Sequence, residues 1–370
     1  MHQLKVWNRQ FGLAIALLIG AQASVFAQPQ NAKTPREQLI PSHLLGLIHA
    51  PEVHAELKLT PAQVTKLEAF FEKTDGDWFR SRIIQQPEKL AAQVKRFEGM
   101  ARQWFQSNTS KQQQERLRQL ELRAQGIRML LRQDLSQELR MQESQLTQLE
   151  ELARATVTAT QALQKATMQN KVTEELKSAV LEANKAEAAS LQTVMTQGQM
   201  DQLRQILGAP FETSKLQRIY PMAPELVPVS DWINSSPLTL KSLRGKVVLL
   251  HFYAFQCHNC HANFDVYQRW HKQYGEDVVV LGIQTPETSN ERDPSLVRKA
   301  AKDRDLNFPI LVDLKSENWK SWSNTMWPTV YVIDKKGYIR HWWQGELRWQ
   351  GATMDQKIES IVTDLLAEDA

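Results

Sequence analysis

The sequence predicts an all-α N-terminal helical domain, residues 28–216, followed by an α/β domain, residues 217–370, with a central mixed sheet flanked by helices. Three observations predict it. From Gln28 to about Leu216 the chain is rich in Gln, Ala, Leu, Arg and Glu and poor in Gly, as helices require. The segment Pro221-Met222-Ala223-Pro224-Glu225-Leu226-Val227-Pro228 then breaks any helix, and short β-branched runs alternate with helical segments beyond it. A chain of 370 residues is also long enough to bury two separate cores.

Ahead of both domains, Lys5 and Arg9, the apolar run Phe11 to Gly20 and Val25-Phe26-Ala27 have the three-part layout of a secretory signal peptide, residues 1–27, cleaved after Ala27. An uncleaved membrane anchor is the alternative. Either one places the remainder in an oxidising, periplasmic or otherwise extracytoplasmic compartment. No Cys follows the apolar run, which excludes a bacterial lipoprotein anchor. With 42% hydrophobic and 23% charged residues and a net charge of +4, the chain is a soluble globular protein; no basic cluster with motif or aromatic residues supports nucleic-acid binding.

In the first domain, Thr60-Pro61-Ala62-Gln63 reads as a capping box with proline at the first helical position, opening a helix through Phe71 with Val64, Leu67 and Phe70 or Phe71 as its core stripe. Leu117, Leu120, Ala124, Ile127, Leu131 and Leu135 fall on one apolar helical face. Such a face needs a partner, within a helical bundle or hairpin array or in a homodimer. The segments starting at Leu59, Met141 and Met195 share apolar, Gln, apolar and Leu at matching places. The first and third resemble the LTxxQ motif of the Spy/CpxP-type periplasmic helical proteins, which are chaperone-like or stress-sensing; the middle copy lacks the Thr, and the same residues also describe a capped amphipathic helix. Between Arg80 and Arg140 basic residues outnumber acidic ones thirteen to six, the pattern of a solvated helix face. His43, His49 and His54 are not spaced for one helical face, so no metal site is assigned to them.

In the second domain, Val247 to Tyr253 is a nearly continuous apolar run, expected of a strand buried on both faces. It leads into Cys257-His258-Asn259-Cys260, a helical pattern to Tyr274, and a second buried run from Val278 to Ile283. These two cysteines are the chain's only ones. A bridge closing so short a loop is a poor staple and a good redox switch. Placed at a helix start, Cys257 is the expected nucleophile, its thiolate stabilised by unpaired backbone N–H groups and the helix dipole. His258, when protonated, would stabilise it further; Cys260, one turn in, is the resolving thiol.

The domain resembles the thioredoxin superfamily in its TlpA/ResA-type extracytoplasmic branch, carried by Ala223 to Leu226, Leu243 to Val248, the CxxC and Met326-Trp327-Pro328-Thr329-Val330-Tyr331-Val332-Ile333-Asp334. Within that branch, Gly282-Ile283-Gln284-Thr285-Pro286-Glu287 and Trp327-Pro328-Thr329 are most similar to the C-terminal redox domain of DipZ proteins and their NHL-repeat relatives. The resemblance implies a thioredoxin fold, a cis Trp327–Pro328 bond beside the active-site disulfide, and substrate pairing around Trp327 and Thr329. It places His251 where thioredoxins carry a buried proton-shuttling acid, although a hydrogen-bonded core histidine fits equally. Asn263 stands where apocytochrome-reducing relatives have glutamate, which weakens a role in cytochrome maturation. No cofactor is expected beyond the Cys257–Cys260 couple; the partners are protein thiols and disulfides, with a membrane or periplasmic electron donor.

Asp334-Lys335-Lys336-Gly337 reads as the turn of a terminal hairpin, with a closing helix from about Met354 to Leu366. Adjacent Trp342 and Trp343 point to opposite faces of a strand, which leaves one available for client docking. Cys257-His258-Asn259-Cys260-His261 also satisfies the c-type haem attachment pattern with His261 as axial ligand, but the preceding strand favours thiol–disulfide exchange. Zinc or copper held by the thiols and a nearby His is a lesser alternative. A peroxiredoxin would need Thr and Pro where Ala254 and Leu250 stand. The remaining alternative is a periplasmic helical chaperone or assembly module carrying an accessory redox domain.

Overall fold

A computed structural model describes residues 35–368 except 85, 213–215 and 218; the expected signal peptide lies outside the described residues. No described helix is long and apolar enough to cross a membrane. The chain divides into two compact units: residues up to Lys66 with Ile84–Ile219, and Leu67–Ile83 with Tyr220–Ala370.

The first unit is all-helical. Its longer helices are α1 (Pro61–Arg80, whose first turns belong here), α2 (Pro87–Asn108), α3 (Lys111–Gln125), α4 (Glu143–Met168), α5 (Glu174–Ala189) and α6 (Gln197–Leu207). The Thr60 capping box forms as read: Gln63 N–H donates to Thr60 Oγ1 (3.2 Å) and Thr60 N–H to Gln63 Oε1 (2.9 Å). The helix it opens extends past Phe71 to Arg80. The face expected from Leu117 to Leu135 is not one helix. Gly126, at φ 58°, ends α3 in a conformation that a side chain disfavours, and the remaining apolar residues continue in a 3-10 turn (Gly126–Leu131) and a short helix (Gln133–Glu138). Leu131 and Leu135 are buried nonetheless, in a core with Leu122, Leu149, Leu191 and Leu203.

The capping boxes come in pairs. Ser110/Gln113 and Gln142/Gln145 join Thr60/Gln63 and Thr196/Gln199, and across each pair the glutamine amides bond each other: Gln63 with Gln113 (3.1 and 3.2 Å) and Gln145 with Gln199 (2.9 and 3.2 Å). At the same offset along the chain, Lys58 repeats as Arg140 and Gly126 as Gly208, all four at positive φ. The helical unit thus uses the same paired-cap arrangement twice along the chain.

The second unit is built on one six-stranded sheet in the order β1-β4-β3-β2-β5-β6: β1 Trp232–Ile233, β2 Val247–Tyr253, β3 Val278–Gln284, β4 Ile310–Val312, β5 Thr329–Ile333 and β6 Ile339–Gln344. β2, β3 and β4 are parallel; β1, β5 and β6 run antiparallel to their neighbours. Every residue of β2 is buried, the reason its sequence is continuously apolar. On one face α7 (Phe264–Tyr274) and α9 (Met354–Ala367) cover Val247, Leu249, Val330 and Val332 through Tyr267, Trp270, Ile358 and Val362, and Ala301 of α8 (Pro294–Asp303) joins them. On the other, Trp322, Trp232 and Leu226 pack on Val248, Leu250, Phe252 and Tyr331, and Phe79 joins them from Leu67–Ile83. Phe79 meets Tyr331 edge-on at 5.9 Å, and Arg82 reaches the Tyr331 hydroxyl at 3.2 Å. The all-α N-terminal domain and the thioredoxin-fold α/β domain are thus both present, and Leu67–Ile83 lies with the α/β unit because its aromatic and arginine side chains pack there.

Candidate active site

Three chain segments meet at one end of the sheet. β2 and β3 both run toward it, and β5 starts from it: Phe252 pairs with Thr329, and Thr285 N–H reaches the Tyr253 carbonyl at 2.9 Å. Cys257 follows β2 as the residue before a one-turn helix, His258–His261, and α7 begins after a break at Ala262 and Asn263. Phe255, Cys257 and Trp327 pack against the same core cluster. The sheet register therefore brings Cys257, Cys260, Trp327 and Pro328 to one place, and the Trp327–Pro328 bond is cis.

The two sulfurs are chemically unlike. Both are free thiols, Cys257 half-buried and Cys260 fully buried. A hydrogen bond from the Cys260 side chain, reinforced by the backbone N–H groups of Cys260 and Asn259, holds the Cys257 thiol below its ordinary value despite partial burial and the charge of Glu287. Burial, with Cys257 beside it, pushes the Cys260 thiol far up. Of the two thiols, Cys257 is the one whose ionisation is favoured and Cys260 the one whose ionisation is opposed.

The turn that carries Cys257 is pinned on both sides. The buried Glu291 carboxylate accepts from Gln256 N (2.7 Å), Glu287 N (2.7 Å) and Thr288 N (2.8 Å). His261 Nε2 donates to the Phe255 carbonyl (2.7 Å), and its Nδ1 accepts from Arg304 (3.1 Å). Both ring nitrogens of His261 are engaged in this structure. His258 is exposed, its ring 6.5 Å from that of His261. Asn263, in place of the relatives' glutamate, is a buried clamp: its Oδ1 accepts from Leu347 N (2.9 Å) and its Nδ2 donates to Gly345 O (3.3 Å). Ala254 is buried and brings no hydroxyl to the thiols.

His251 is fully buried in an aromatic cage, stacked on Tyr267 at 4.0 Å and on Tyr253 at 5.4 Å with Phe308 edge-on, and neither ring nitrogen has a hydrogen-bond partner among the described residues. Burial pushes its pKa down to about 3. It is neither the hydrogen-bonded core histidine nor a base poised near neutrality. Thr329 is also fully buried, its hydroxyl donating to Met326 O (2.7 Å); its side chain shapes the turn before Pro328 and is not presented to a client. Trp343 packs toward the α7/α9 core, while Trp342 is exposed on the opposite face, with Arg82 5.3 Å above its ring. His49 and His54 turn ring nitrogens onto the carbonyls of Leu45 and Ile48. The residues missed by sequence reasoning are Glu291, Arg304 and Asp313, which have no spacing to mark them, and the role of Glu287, which the sequence showed only as the end of a motif.

Known proteins give the same picture. Residues 227–342 match the AhpC/TSA family. The chain is 38% identical over 123 residues to DipZ of Mycobacterium tuberculosis, 32% of this chain but only 18% of that one, so it spans about a fifth of that relative's length. It is 28% identical over 145 residues to the thiol-disulfide oxidoreductase YkuV of Bacillus subtilis, covering 39% of this chain and 94% of YkuV. It is 32% identical over 127 residues to the thioredoxin-like protein YneN of Bacillus subtilis, covering 34% of this chain and 72% of YneN. With its sheet order, paired cysteines and the proline segment at one sheet end, the chain belongs to the thioredoxin-like redoxins.

Proposed function

We propose that the protein is an extracytoplasmic thiol–disulfide oxidoreductase that exchanges disulfides with protein clients through Cys257 and Cys260. The observation that carries this reading is the opposed character of the two thiols, one half-buried with its pKa held down, the other fully buried with its pKa pushed up. Cys257 thiolate attacks one sulfur of a client disulfide, forming the Cys257–client bond as the client S–S bond breaks and the leaving sulfur departs as thiolate. Cys260 then loses its proton, attacks Cys257 Sγ and releases the second client sulfur, so that two electrons pass to the client and the protein is left with a Cys257–Cys260 disulfide. The backbone around Trp327 and Pro328 is the proposed client-pairing edge. An electron donor of the dithiol class restores the reduced pair. The chain's similarity to the thiol-disulfide oxidoreductase YkuV supports the activity, and the N-terminal layout of residues 1–27 supports export.

Dithiothreitol-driven insulin reduction tests it. Cys257→Ser should abolish turnover, and Cys260→Ser should accumulate a mixed disulfide at Cys257 visible by mass spectrometry. Turnover by Cys257→Ser, or failure of the wild-type pair to cycle between dithiol and disulfide, overturns the proposal.

A further inference from the structure

The Cys257/Cys260 pair is surrounded by groups whose charges decide how readily a thiolate forms there. On its own helical turn are His258, exposed, and His261, engaged by Phe255 and Arg304. From β2 come Tyr253 and His251, and from α7 Tyr267; burial keeps both tyrosines protonated and His251 neutral. From the loop after β3 come Glu287 and Glu291. Glu291 spends its carboxylate on three backbone N–H groups. Glu287 spends nothing: its side chain is exposed and makes no hydrogen bond or ion pair among the described residues.

Yet Glu287 is not free to wander. One Glu291 carboxylate oxygen holds the amide of Gln256, the residue before Cys257, and the other holds the amide of Glu287, each at 2.7 Å. Thr288 Oγ1 adds a bond to Gln256 Oε1 at 2.6 Å. The buried carboxylate is a bracket that fixes the Glu287 backbone beside the cysteine turn. We propose that Glu287 is a further site residue, a carboxylate whose backbone Glu291 fixes beside the cysteine turn and whose charge disfavours the thiolate and makes the dithiol a stronger reductant. The Glu287 charge opposes ionisation of both sulfurs. A less stable thiolate means a less stable reduced form, and the couple moves toward reducing potentials. This rests on the proposed exchange function and adds a direction to it, that of a reductase.

The test uses the full chain with Glu287→Gln and Glu287→Lys. Two quantities are read: the pH at which iodoacetamide alkylation of Cys257 is half-maximal, and the equilibrium potential against glutathione. The expected result is a downward move of the alkylation midpoint, larger for Lys than for Gln, with the potential rising in the same order and both effects shrinking in high salt, because the carboxylate is exposed. Since the Glu287 side chain holds nothing in place, the unfolding midpoint should not follow this order. Midpoints equal to wild type in both variants, or displaced upward, overturn the assignment. The alkylation arm needs no turnover, so a wild-type chain that fails to reduce insulin counts against the exchange function, whereas a cycling chain with unmoved variants counts against Glu287 alone.

Discussion

The indole rings of Trp319 and Trp327 stack with centroids 3.9 Å apart and planes 18° from parallel. Trp319 is held in turn by the buried Asp313, which accepts from Trp319 N (3.0 Å), Glu317 N (2.9 Å) and Thr285 Oγ1 (3.2 Å). The loop after β3 thereby reaches, through one carboxylate and one ring, the residue before Pro328. A stacked aromatic pair contributes about 1 kcal/mol beyond its burial. Trp319→Ala should therefore slow insulin reduction several-fold through KM while changing reduction of a small disulfide less, and Trp319→Phe should restore most of the loss. Equal losses on both substrates would show that Trp327 does not shape client binding.

The unlike thiols predict a one-sided pH profile. Because hydrogen bonds hold Cys257 down and burial holds Cys260 up, iodoacetamide should label Cys257 alone. Its half-maximal pH should lie below the free-thiol value of about 8.5. Mass spectrometry of the alkylated chain after digestion distinguishes the two sites. Labelling of Cys260 at comparable rates contradicts the asymmetry on which the nucleophile assignment stands.

The buried His251 predicts how this unit responds to acid. Its pKa falls from 6.5 to about 3 on folding, so between those values the unfolded chain binds the extra proton and the folded chain does not. Stability contributed at His251 is complete above pH 6.5 and is lost as pH falls toward 3, at up to about 1.4 kcal/mol per pH unit. His251→Phe, which keeps the aromatic cage filled, should flatten this part of the slope. Urea unfolding at pH 7 and pH 5, followed by tryptophan fluorescence, gives both slopes; parallel slopes for the two proteins would remove His251 as the cause.

What the sequence discloses follows from how local each signal is. β2, the CxxC turn and the terminal hairpin were legible because a continuous apolar run, two cysteines and an Asp-Lys-Lys-Gly turn each declare themselves within a few residues. The apolar stripe of α1 was legible as well, but Leu67 and Phe71 state only that a partner exists. That the end of α1 and the turn after it pack on the α/β unit depends on Phe79 and Arg82 meeting Tyr331, a contact between residues far apart in sequence. His251 was singled out by its distance from Cys257, whereas its surroundings depend on Tyr253, Tyr267 and Phe308 closing around it. Glu291 shows the limit most clearly, since nothing in Ser-Asn-Glu-Arg tells that one carboxylate will collect three amides.

The paired capping boxes give the last prediction, and here the sequence held half the information. Three copies were visible; the fourth, Ser110 to Gln113, has Thr109 and Gln114 where the others have apolar residues and emerges only from its geometry. Each glutamine serves three structures at once. Gln63 closes its own box, donates to the Asn108 carbonyl at the end of α2 (2.9 Å) and bonds Gln113, which in turn donates to Lys58 O (3.2 Å). Removing one such amide deletes a cap contribution of about 1 kcal/mol and also strands the partner's amide and a helix-end carbonyl. Gln63→Ala and Gln113→Ala should each cost more than a lone cap, about 2 kcal/mol. The double variant should cost clearly less than their sum, because the second substitution has no partner left to strand. Gln63→Ala combined with Gln145→Ala, one from each repeat, should instead be additive, since those two residues share no hydrogen bond. Thermal or urea unfolding of the helical unit followed by circular dichroism reads all these variants. Additivity within the Gln63/Gln113 pair would mean that the two boxes stand independently and that their reciprocal bonds contribute nothing to holding the repeat together.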